Sequence, residues 1–276
     1  MKGKILNIVV GIFFLLGLGL LLYPTVSNWW NKNHTSRAIS VYNDQLAEID
    51  VSEAEAEIAK ARAYNDRLNQ EADKAKFMET HRQEYESLLN LKNSGIMGYV
   101  DIPTIQVTLP IYHGTEENVL QVAAGHLEWT SLPVGGENTH TVISGHRGLP
   151  SAKLFTDLDA MQVGDVFTVH IYHEEYYYQV DDISVILPEE TTILVPRAGN
   201  DYCTLLTCTP YGINSHRLLV RGTRIYPTFQ EVTINDDLQV ISPIVVSGAA
   251  AAVILLLGCI LDWSLAGRPG RRKKEK

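Results

Sequence analysis

Two long apolar segments, one near each end of the chain, constrain its fold more than any other feature of the sequence. The first, residues 5–23, contains one polar residue, Asn7. At about 1.5 Å per helical residue it would span about 28 Å, close to the hydrocarbon thickness of a bilayer. The second, residues 240–261, is interrupted by two serines, one proline and some glycine. We therefore predict membrane-spanning helices over 1–24 and 240–262, so that the chain between them must fold as a separate unit.

The residues that flank these segments predict their orientation. Basic residues lie outside each segment and two tryptophans follow the first: Lys2, Lys4, Trp29, Trp30 and the basic tail 263–276. Positive charge accumulates on the cytoplasmic side of a membrane, so we expect both termini in the cytoplasm and residues 25–239 outside the cell. A cleaved signal peptide is the alternative for the first segment, but residues 24–27 offer no convincing cleavage site.

Charge and cysteine content narrow the classes of function. The net charge is −9, and since both ends are basic the part between them is more acidic still, which argues against binding nucleic acid. Cys203 and Cys208 lie in one strand-like run, about 16 Å apart and on opposite faces, so they cannot form a disulfide. A free thiol in an extracellular domain is unusual for a structural residue and is expected for a nucleophile.

The first part of the region between the membrane segments has a helical character. Residues 25–94 contain no proline, and Ser52 with Glu55 predicts a capping box at the start of a helix rich in Ala, Glu and Lys. A further helix is expected over 71–89. Residues at helical spacing predict the buried sides of the two helices: Ile58, Ala61, Tyr64 and Leu68, then Phe77, Met78, Tyr85, Leu88 and Leu89.

The second part, residues 95–230, has a β character. It consists of short β-runs separated by Gly, Pro and Asn, and residues 165–173 alternate between apolar and polar side chains. About eight such runs predict a single closed β-barrel. Residues 151–161 interrupt the runs with a helical pattern of one or two turns.

Residues 204–222 carry the pattern with the clearest chemical meaning. Cys208 ends one apolar strand, and Arg217 begins the next strand nine residues later, after a loop with proline, glycine and asparagine. A hairpin-like pair of strands returns Arg217 to the neighbourhood of Cys208. Because a fixed positive charge favours the thiolate, which is the nucleophile, the pattern predicts a cysteine-dependent acyl-transfer enzyme.

Such an enzyme also needs a proton donor and a group that stabilises the oxyanion. Among nine histidines, His146 is the best candidate, because it follows a β-run in a glycine-flanked loop. His140 is its rival inside the strand, and Arg221 is the rival of Arg217 on the same strand face. Thr207 is a candidate for donating a hydrogen bond to the oxyanion, through its hydroxyl or its backbone amide. The alternative is that Thr207 is an ordinary strand residue with a structural role only.

These motifs together resemble the sortases, and in particular the pilus-building class C. The resemblance rests on the Thr-Leu-x-Thr-Cys strand with arginine nine positions after the cysteine, and on Gly-His-Arg-Gly, whose histidine lies 62 positions before it. It covers about residues 42–226 and includes further matching runs at 98–103, 109–115, 125–128, 130–136 and 145–155.

The resemblance implies an eight-stranded sortase barrel with a His146, Cys208 and Arg217 site and no cofactor or metal. Cys208 would attack the Thr–Gly carbonyl of an LPxTG-like sorting motif in a pilin, His146 would protonate the leaving amine, and Arg217 would bind the substrate backbone and the oxyanion. A lysine amine of the next pilin would resolve the thioester and so polymerise pili on the cell surface. Residues 187–200 would form one side of the groove that binds the sorting motif. The resemblance implies no carboxylate that orients the histidine.

One part of the class C pattern is missing. Its members usually carry a lid with an Asp-Pro-aromatic motif that plugs the site, whereas this chain has no proline from Thr25 to Ile102. Residues 73–85 take roughly the place of the lid. We therefore expect an altered or absent lid and less autoinhibition.

Two other functions stay open. A membrane-tethered cysteine protease would use the same thiolate and histidine but transfer the acyl group to water. A non-enzymatic cell-wall protein would explain the apolar segment with its basic tail as a sorting signal. However, the nearest approach to the required Leu-Pro-x-Thr-Gly is residues 225–228, which does not match.

Overall fold

The structure is a computed structural model that describes residues 2–227. Three helices precede the strands in that part of the chain: α1 (Lys2–Leu46), α2 (Val51–Gln70) and α3 (Lys74–Ser87). The predicted second membrane segment over 240–262 and the basic tail over 263–276 lie outside the described residues, as do the last three residues of the expected barrel domain.

The first helix joins the membrane segment to the barrel without interruption. It continues through Pro24, so the expected boundary between residues 24 and 25 falls inside one helix. Its part from Val9 to Leu46 is the one helix in the described chain that is long and apolar enough to cross a membrane, with a mean hydropathy of 2.3 over an 18-residue window. At its other end the Tyr42 hydroxyl donates to the Met97 carbonyl at 3.2 Å and accepts from the Tyr172 amide at 2.8 Å.

The second and third helices bury the side chains that their spacing predicts: Ile58, Ala61, Tyr64, Leu68, Phe77, Met78 and Tyr85. Leu88 and Leu89 are buried too, but they follow α3, which ends at Ser87 and is shorter than the predicted 71–89. The predicted capping box is wrong, because α2 already begins at Val51 with Asp50 in the cap position. The amides of Glu53 and Ala54 bond to the Asp50 carbonyl at 3.0 and 3.1 Å, so Ser52 lies within the first turn.

Eight strands close into a barrel, which confirms the predicted architecture. In chain order they are β1 (Ile96–Ile102), β2 (Val107–His113), β3 (Ala124–His126), β4 (Thr139–Ser144), β5 (Val166–Ile171), β6 (Glu174–Ile186), β7 (Asp201–Thr209) and β8 (His216–Ile225). The order around the barrel is β1-β2-β3-β4-β7-β8-β6-β5. The β2–β3 and β4–β7 pairs are parallel and the other pairs are antiparallel.

Alternation along the strands builds the core inside the barrel. In β5, Phe167, Val169 and Ile171 are all buried, as the sequence predicts. The helical pattern over 151–161 reduces to turns and one short 3₁₀ helix, Leu158–Ala160. Its apolar residues are buried in the core instead of forming the stripe of a longer helix: Ala152, Leu154, Phe155, Leu158 and Met161.

Candidate active site

Cys208 and Arg217 face each other across the β7–β8 pair. The antiparallel register pairs Cys208 with Arg217 and, two residues further in, Leu206 with Leu219. Paired residues of antiparallel strands lie about 4.5–5.5 Å apart at Cα and project to the same face of the sheet. The hairpin-like unit predicted from the sequence is therefore present, with the thiol and the guanidinium on one face.

His146 lies just beyond β4, at the end of the barrel that also carries Cys208. The parallel β4–β7 register pairs residues 62 apart, ending with Ser144 and Leu206. The Gly145 amide continues this ladder by donating to the Leu206 carbonyl at 3.0 Å. His146 directly follows Gly145 and is separated from Cys208 by the same interval of 62 residues, so the two residues lie at adjacent ends of β4 and β7.

Thr207 links the cysteine strand to the histidine loop. Its side-chain hydroxyl donates to the Gly145 carbonyl at 2.7 Å, and the residue is 1% exposed. This corrects the expectation that the hydroxyl faces an oxyanion, because it is buried and already bonded, which leaves the backbone amide of Thr207 as the candidate. The hydroxyl instead holds Gly145, and with it the start of the His146 loop, against the strand of Cys208.

Arg147 makes a second link between the same two segments, and the sequence analysis gave it no role. Its side chain is 9% exposed, one terminal nitrogen donates to the Thr209 hydroxyl at 3.2 Å, and the other pairs with Asp159. Thr209 directly follows Cys208. The available signal was the position of Arg147 in the Gly-His-Arg-Gly motif, where it directly follows the candidate histidine.

A carboxylate lies beside the histidine. The Nε2 atom of His146 is 3.3 Å from Oε2 of Glu117, which begins the short helix α4 (Glu117–Leu120) between β2 and β3. The bond from the Gln121 side chain and the contact with His146 lower the pKa of Glu117. The sequence analysis missed this residue because it precedes His146 by 29 positions in an irregular connection, where no spacing rule applies.

The Arg217 guanidinium bonds to backbone carbonyls only. One terminal nitrogen donates to the carbonyls of Asn214 at 3.3 Å and His216 at 3.1 Å, both close to the β7–β8 loop. Arg217 takes part in no salt bridge with the residues from 2 to 227. Its positive charge thus stays available to an anionic group at the thiol.

The two alternative candidates, His140 in β4 and Arg221 in β8, lie further from the strand ends and make structural contacts. His140 is 1% exposed and shares a 2.7 Å hydrogen bond with the Thr204 hydroxyl, and burial lowers its pKa to about 4. Arg221 makes two hydrogen bonds to Asp181, at 2.9 and 3.1 Å, and its guanidinium lies 4.6 Å from the ring centre of Tyr202. Neither side chain belongs to the group around Cys208.

An apolar strip continues from Cys208 along the same face of the sheet. It combines side chains of β4, β6, β7, β8 and the loop regions that cover them: Leu127, Trp129, Val142, Ile186, Ile193, Leu194, Leu206 and Leu219. Two of these residues, Ile193 and Leu194, belong to the 187–200 connection that was expected to form a wall. Val142, Leu194 and Leu219 are buried, so the 187–200 connection packs against the sheet at this point.

The end of the barrel thus carries a candidate nucleophile, a candidate proton carrier and a cation. Cys208 is partly exposed and free, whereas Cys203 is free but fully buried, and burial raises the pKa of the Cys203 thiol well above its usual value. Within residues 2–227 no group of three or more His, Cys, Asp or Glu side chains is placed to hold a metal ion. These groups suit nucleophilic acyl transfer.

Comparison with known proteins identifies the family. Residues 100–225 match the Sortase domain model. The structure of sortase C1 from Streptococcus agalactiae has 46% sequence identity and a TM-score of 0.65, and the match covers 69% of this chain and 99% of that one. The structure of sortase C from Streptococcus pneumoniae has 44% sequence identity and a TM-score of 0.63, and the match covers 69% of this chain and 97% of that one. Sortase A of Bacillus anthracis is 26% identical over 162 residues, which are 56% of this chain and 75% of the relative.

The chain therefore belongs to the sortase family, and its barrel is of the sortase type. Its close structural neighbours include class C sortases of streptococci and of Actinomyces oris, which confirms the resemblance predicted from the motifs.

Proposed function

We propose that the chain is a membrane-anchored cysteine transpeptidase that joins pilin subunits. The observation that carries the proposal is the pairing of Cys208 with Arg217 across β7 and β8, with His146 in the loop that follows β4, the parallel neighbour of β7. Membership of the sortase family supports acyl transfer. The match to S. pneumoniae sortase C, described in terms of catalysis and pilin substrate specificity, supports pilins as the substrate class.

The first half of the reaction cleaves an LPxTG-like sorting motif. The Cys208 thiolate attacks the carbonyl carbon of the threonine, and the Arg217 guanidinium and the backbone amide of Thr207 stabilise the negative charge on its oxygen. The Thr–Gly C–N bond then breaks, and protonated His146 gives its proton to the departing glycine amine. The products are a thioester on Cys208 and neutral His146.

The second half transfers the acyl group to a lysine amine of another pilin. The amine attacks the thioester carbonyl and loses a proton to His146, and the C–S bond breaks to restore the thiolate and the imidazolium. The new bond is an isopeptide bond between two subunits. Repetition of both halves would polymerise pili on the cell surface.

The segment at the lid position is proposed not to plug the site. Asp73 accepts a hydrogen bond from the Lys76 amide at 3.0 Å as the cap of α3, which supports a role in the helix and not at Arg217. Phe77 is buried against Tyr64, with ring centres 5.4 Å apart. We expect Asp73→Asn to leave peptide hydrolysis unchanged and Phe77→Ala to cost about 3 kcal/mol of stability. A large rise in hydrolysis by either variant would reveal a working lid.

The helix α1 supports anchoring in the cell membrane, while the second span and the cytoplasmic position of both termini remain predictions. Protease added to intact cells should spare an epitope fused after Lys276 and should degrade the barrel domain. Loss of the epitope on intact cells would contradict the two-span arrangement.

The reaction is tested with the full chain in detergent micelles or nanodiscs. Incubation with a sorting-motif peptide and a lysine-containing pilin peptide should give a thioester on Cys208, detected by mass spectrometry, and then the cross-linked amide. Cys208→Ala is the control that should give neither product. A thioester that yields only the free acid would favour the membrane-tethered protease, and no thioester at all would refute the transpeptidase.

A further inference from the structure

Glu117 is tied to the candidate acid/base histidine by a contact that uses one specific ring nitrogen. Its Oε2 atom is 3.3 Å from Nε2 of His146. The part of the chain that the structure describes contributes no other hydrogen-bond partner to this ring. The Nδ1 atom is thus the nitrogen left for other groups.

The carboxylate is itself held in place by its surroundings. Its second oxygen, Oε1, accepts a hydrogen bond from the side-chain amide of Gln121 at 3.1 Å. The carbonyl of Glu116 accepts from the amides of Val119 and Leu120, both at 3.0 Å, which fixes the turn that begins with Glu117. The carboxylate therefore points at the ring from a defined backbone position.

The helix α3 contacts the same turn through a salt bridge. The side chain of Arg82 in α3 pairs with Glu116 at 3.1 Å and with Glu128 at 3.1 Å. The charge of Glu116 is therefore engaged with α3, whereas the charge of its neighbour Glu117 is directed at His146. Two adjacent glutamates thus have different partners, which supplies a matched control.

We propose that Glu117 is a positioning residue for His146, accepting a hydrogen bond from Nε2–H so that Nδ1 exchanges the proton with the substrate amine. This inference rests on the proposed function, because it assigns the proton path of that same site. An imidazole whose one nitrogen is engaged by a carboxylate is held in a single tautomer and ring orientation. The contact orients the ring without any covalent participation of Glu117.

The proton balance of both half-reactions follows from this assignment. In the first, the imidazolium loses the proton on Nδ1 to the leaving amine and keeps the Nε2–H that Glu117 accepts. In the second, neutral His146 takes a proton from the incoming lysine amine on Nδ1. Glu117 stays ionised throughout, so no proton passes through it.

Stability does not explain the contact. The side chain of Glu117 is 69% exposed, and a single surface ion pair of this kind contributes little to folding. A variant that loses the carboxylate should therefore fold normally. The consequence of the contact is expected in catalysis, where a ring free to rotate offers Nδ1 to the amine for only part of the time.

The experiment compares Glu117→Ala, Glu117→Asp and Glu116→Gln in the full chain in detergent micelles, with the sorting-motif peptide and a lysine peptide as substrates. We expect Glu117→Ala to lower kcat about 10-fold with little change in KM or melting temperature. Glu117→Asp, which keeps the charge on a shorter side chain, should recover part of the loss. Glu116→Gln makes the same reduction in charge one residue away and should leave kcat within about twofold.

Nitrogen-15 NMR of histidine-labelled protein gives an independent measurement. The neutral ring of His146 should be the Nε2–H tautomer in the wild type and a mixture of tautomers in Glu117→Ala. An unchanged kcat in Glu117→Ala, or a wild-type ring with its proton on Nδ1, would overturn the proposal even though the enzyme is active. A wild type that forms no thioester would instead refute the proposed function, which keeps the two failures distinct.

Discussion

The strands β4, β7 and β8, together with the loop that follows β4, carry two sets of the same three residue types, and only one set is suited to chemistry. His140, Cys203 and Arg221 lie within the strands, whereas His146, Cys208 and Arg217 lie at or just beyond the strand ends. Cys203 is fully buried and burial lowers the pKa of His140 to about 4, while Arg221 is paired with Asp181. Cys208 and His146 are partly exposed, and Arg217 bonds only to backbone.

The difference teaches that the position of a residue in the barrel matters more than its type: Cys203 faces the barrel core, whereas Cys208 projects from the opposite face at the end of its strand. Inside the sheet each polar side chain finds a protein partner or the core, because neighbouring strands and the covering loop enclose it. Where the ladder ends, side chains meet solvent and substrate. The first three predictions below compare matched alanine substitutions in the two sets, in order of decreasing effect on the reaction rate.

The cysteine pair should show the largest contrast. Cys208→Ala removes the nucleophile and should lower the cleavage rate by roughly 10³-fold or more. Cys203→Ala should keep the rate within about threefold and lower the free energy of unfolding by about 1–2 kcal/mol, because it leaves a small cavity in the core. Rates with the sorting-motif peptide and urea denaturation measure the two effects. Loss of thioester in folded Cys203→Ala would break the comparison.

Substitution of His146 should affect catalysis, whereas substitution of His140 should affect stability. His146→Ala should lower kcat by about 10²–10⁴-fold, since it removes general acid/base catalysis. His140→Ala leaves the buried Thr204 hydroxyl without its partner, so it should cost about 1–3 kcal/mol of stability and leave kcat nearly unchanged. Steady-state kinetics and melting temperatures separate the two. Full activity of His146→Ala would show that the acid/base assignment is wrong.

The arginine pair should give a smaller contrast. Arg217→Ala should lower kcat/KM about 10²-fold through loss of oxyanion stabilisation. Arg221→Ala breaks the paired hydrogen bonds to Asp181 and should mainly lower stability, by about 1 kcal/mol. The measurement is kcat/KM together with urea denaturation. Equal losses of kcat/KM in the two variants would contradict the assignment of a catalytic role to Arg217 alone.

Buried histidines should also limit the stability of the fold in acid. Burial lowers the pKa values of His126 and His140 to about 4, below the usual 6.5. Between these values the unfolded chain binds more protons than the folded chain, so stability is complete above about pH 6.5 and falls as the pH decreases. Each histidine should contribute up to about 1.4 kcal/mol per pH unit in this window. Urea midpoints that stay constant from pH 7 to pH 5 would contradict this.

The sequence predicted those parts of the fold and site that follow from local periodicity. Alternation gave the buried face of β5, and the nine-residue interval placed Arg217 opposite Cys208. His146 was predicted from its glycine-flanked loop and from the family resemblance, and its interval of 62 residues from Cys208 equals the β4–β7 register offset.

The parts that the sequence did not predict depend on packing between distant segments. The hydroxyl of Thr207, one of the two groups considered for the oxyanion, donates instead to Gly145, because the parallel neighbour β4 ends beside it. Glu117 reaches His146 from a short helix in an irregular loop, which no local pattern reveals. The 151–161 pattern has helical periodicity, but its apolar side chains are drawn individually into the core.

The uninterrupted first helix has a consequence for the height of the enzyme above the lipid. The Ser27 hydroxyl donates to the Ser151 carbonyl at 3.1 Å, and the Lys153 amide donates to the Asn28 side chain at 2.9 Å. The loop that begins with His146 is thereby fastened to the helix within two turns of Tyr23, where the apolar segment ends. In a chain anchored as proposed, these bonds would hold the barrel close to the lipid, so the proposed cleavage would take place near the membrane surface. Substrates still embedded by an apolar tail would meet that condition, whereas proteins already released into the medium would not.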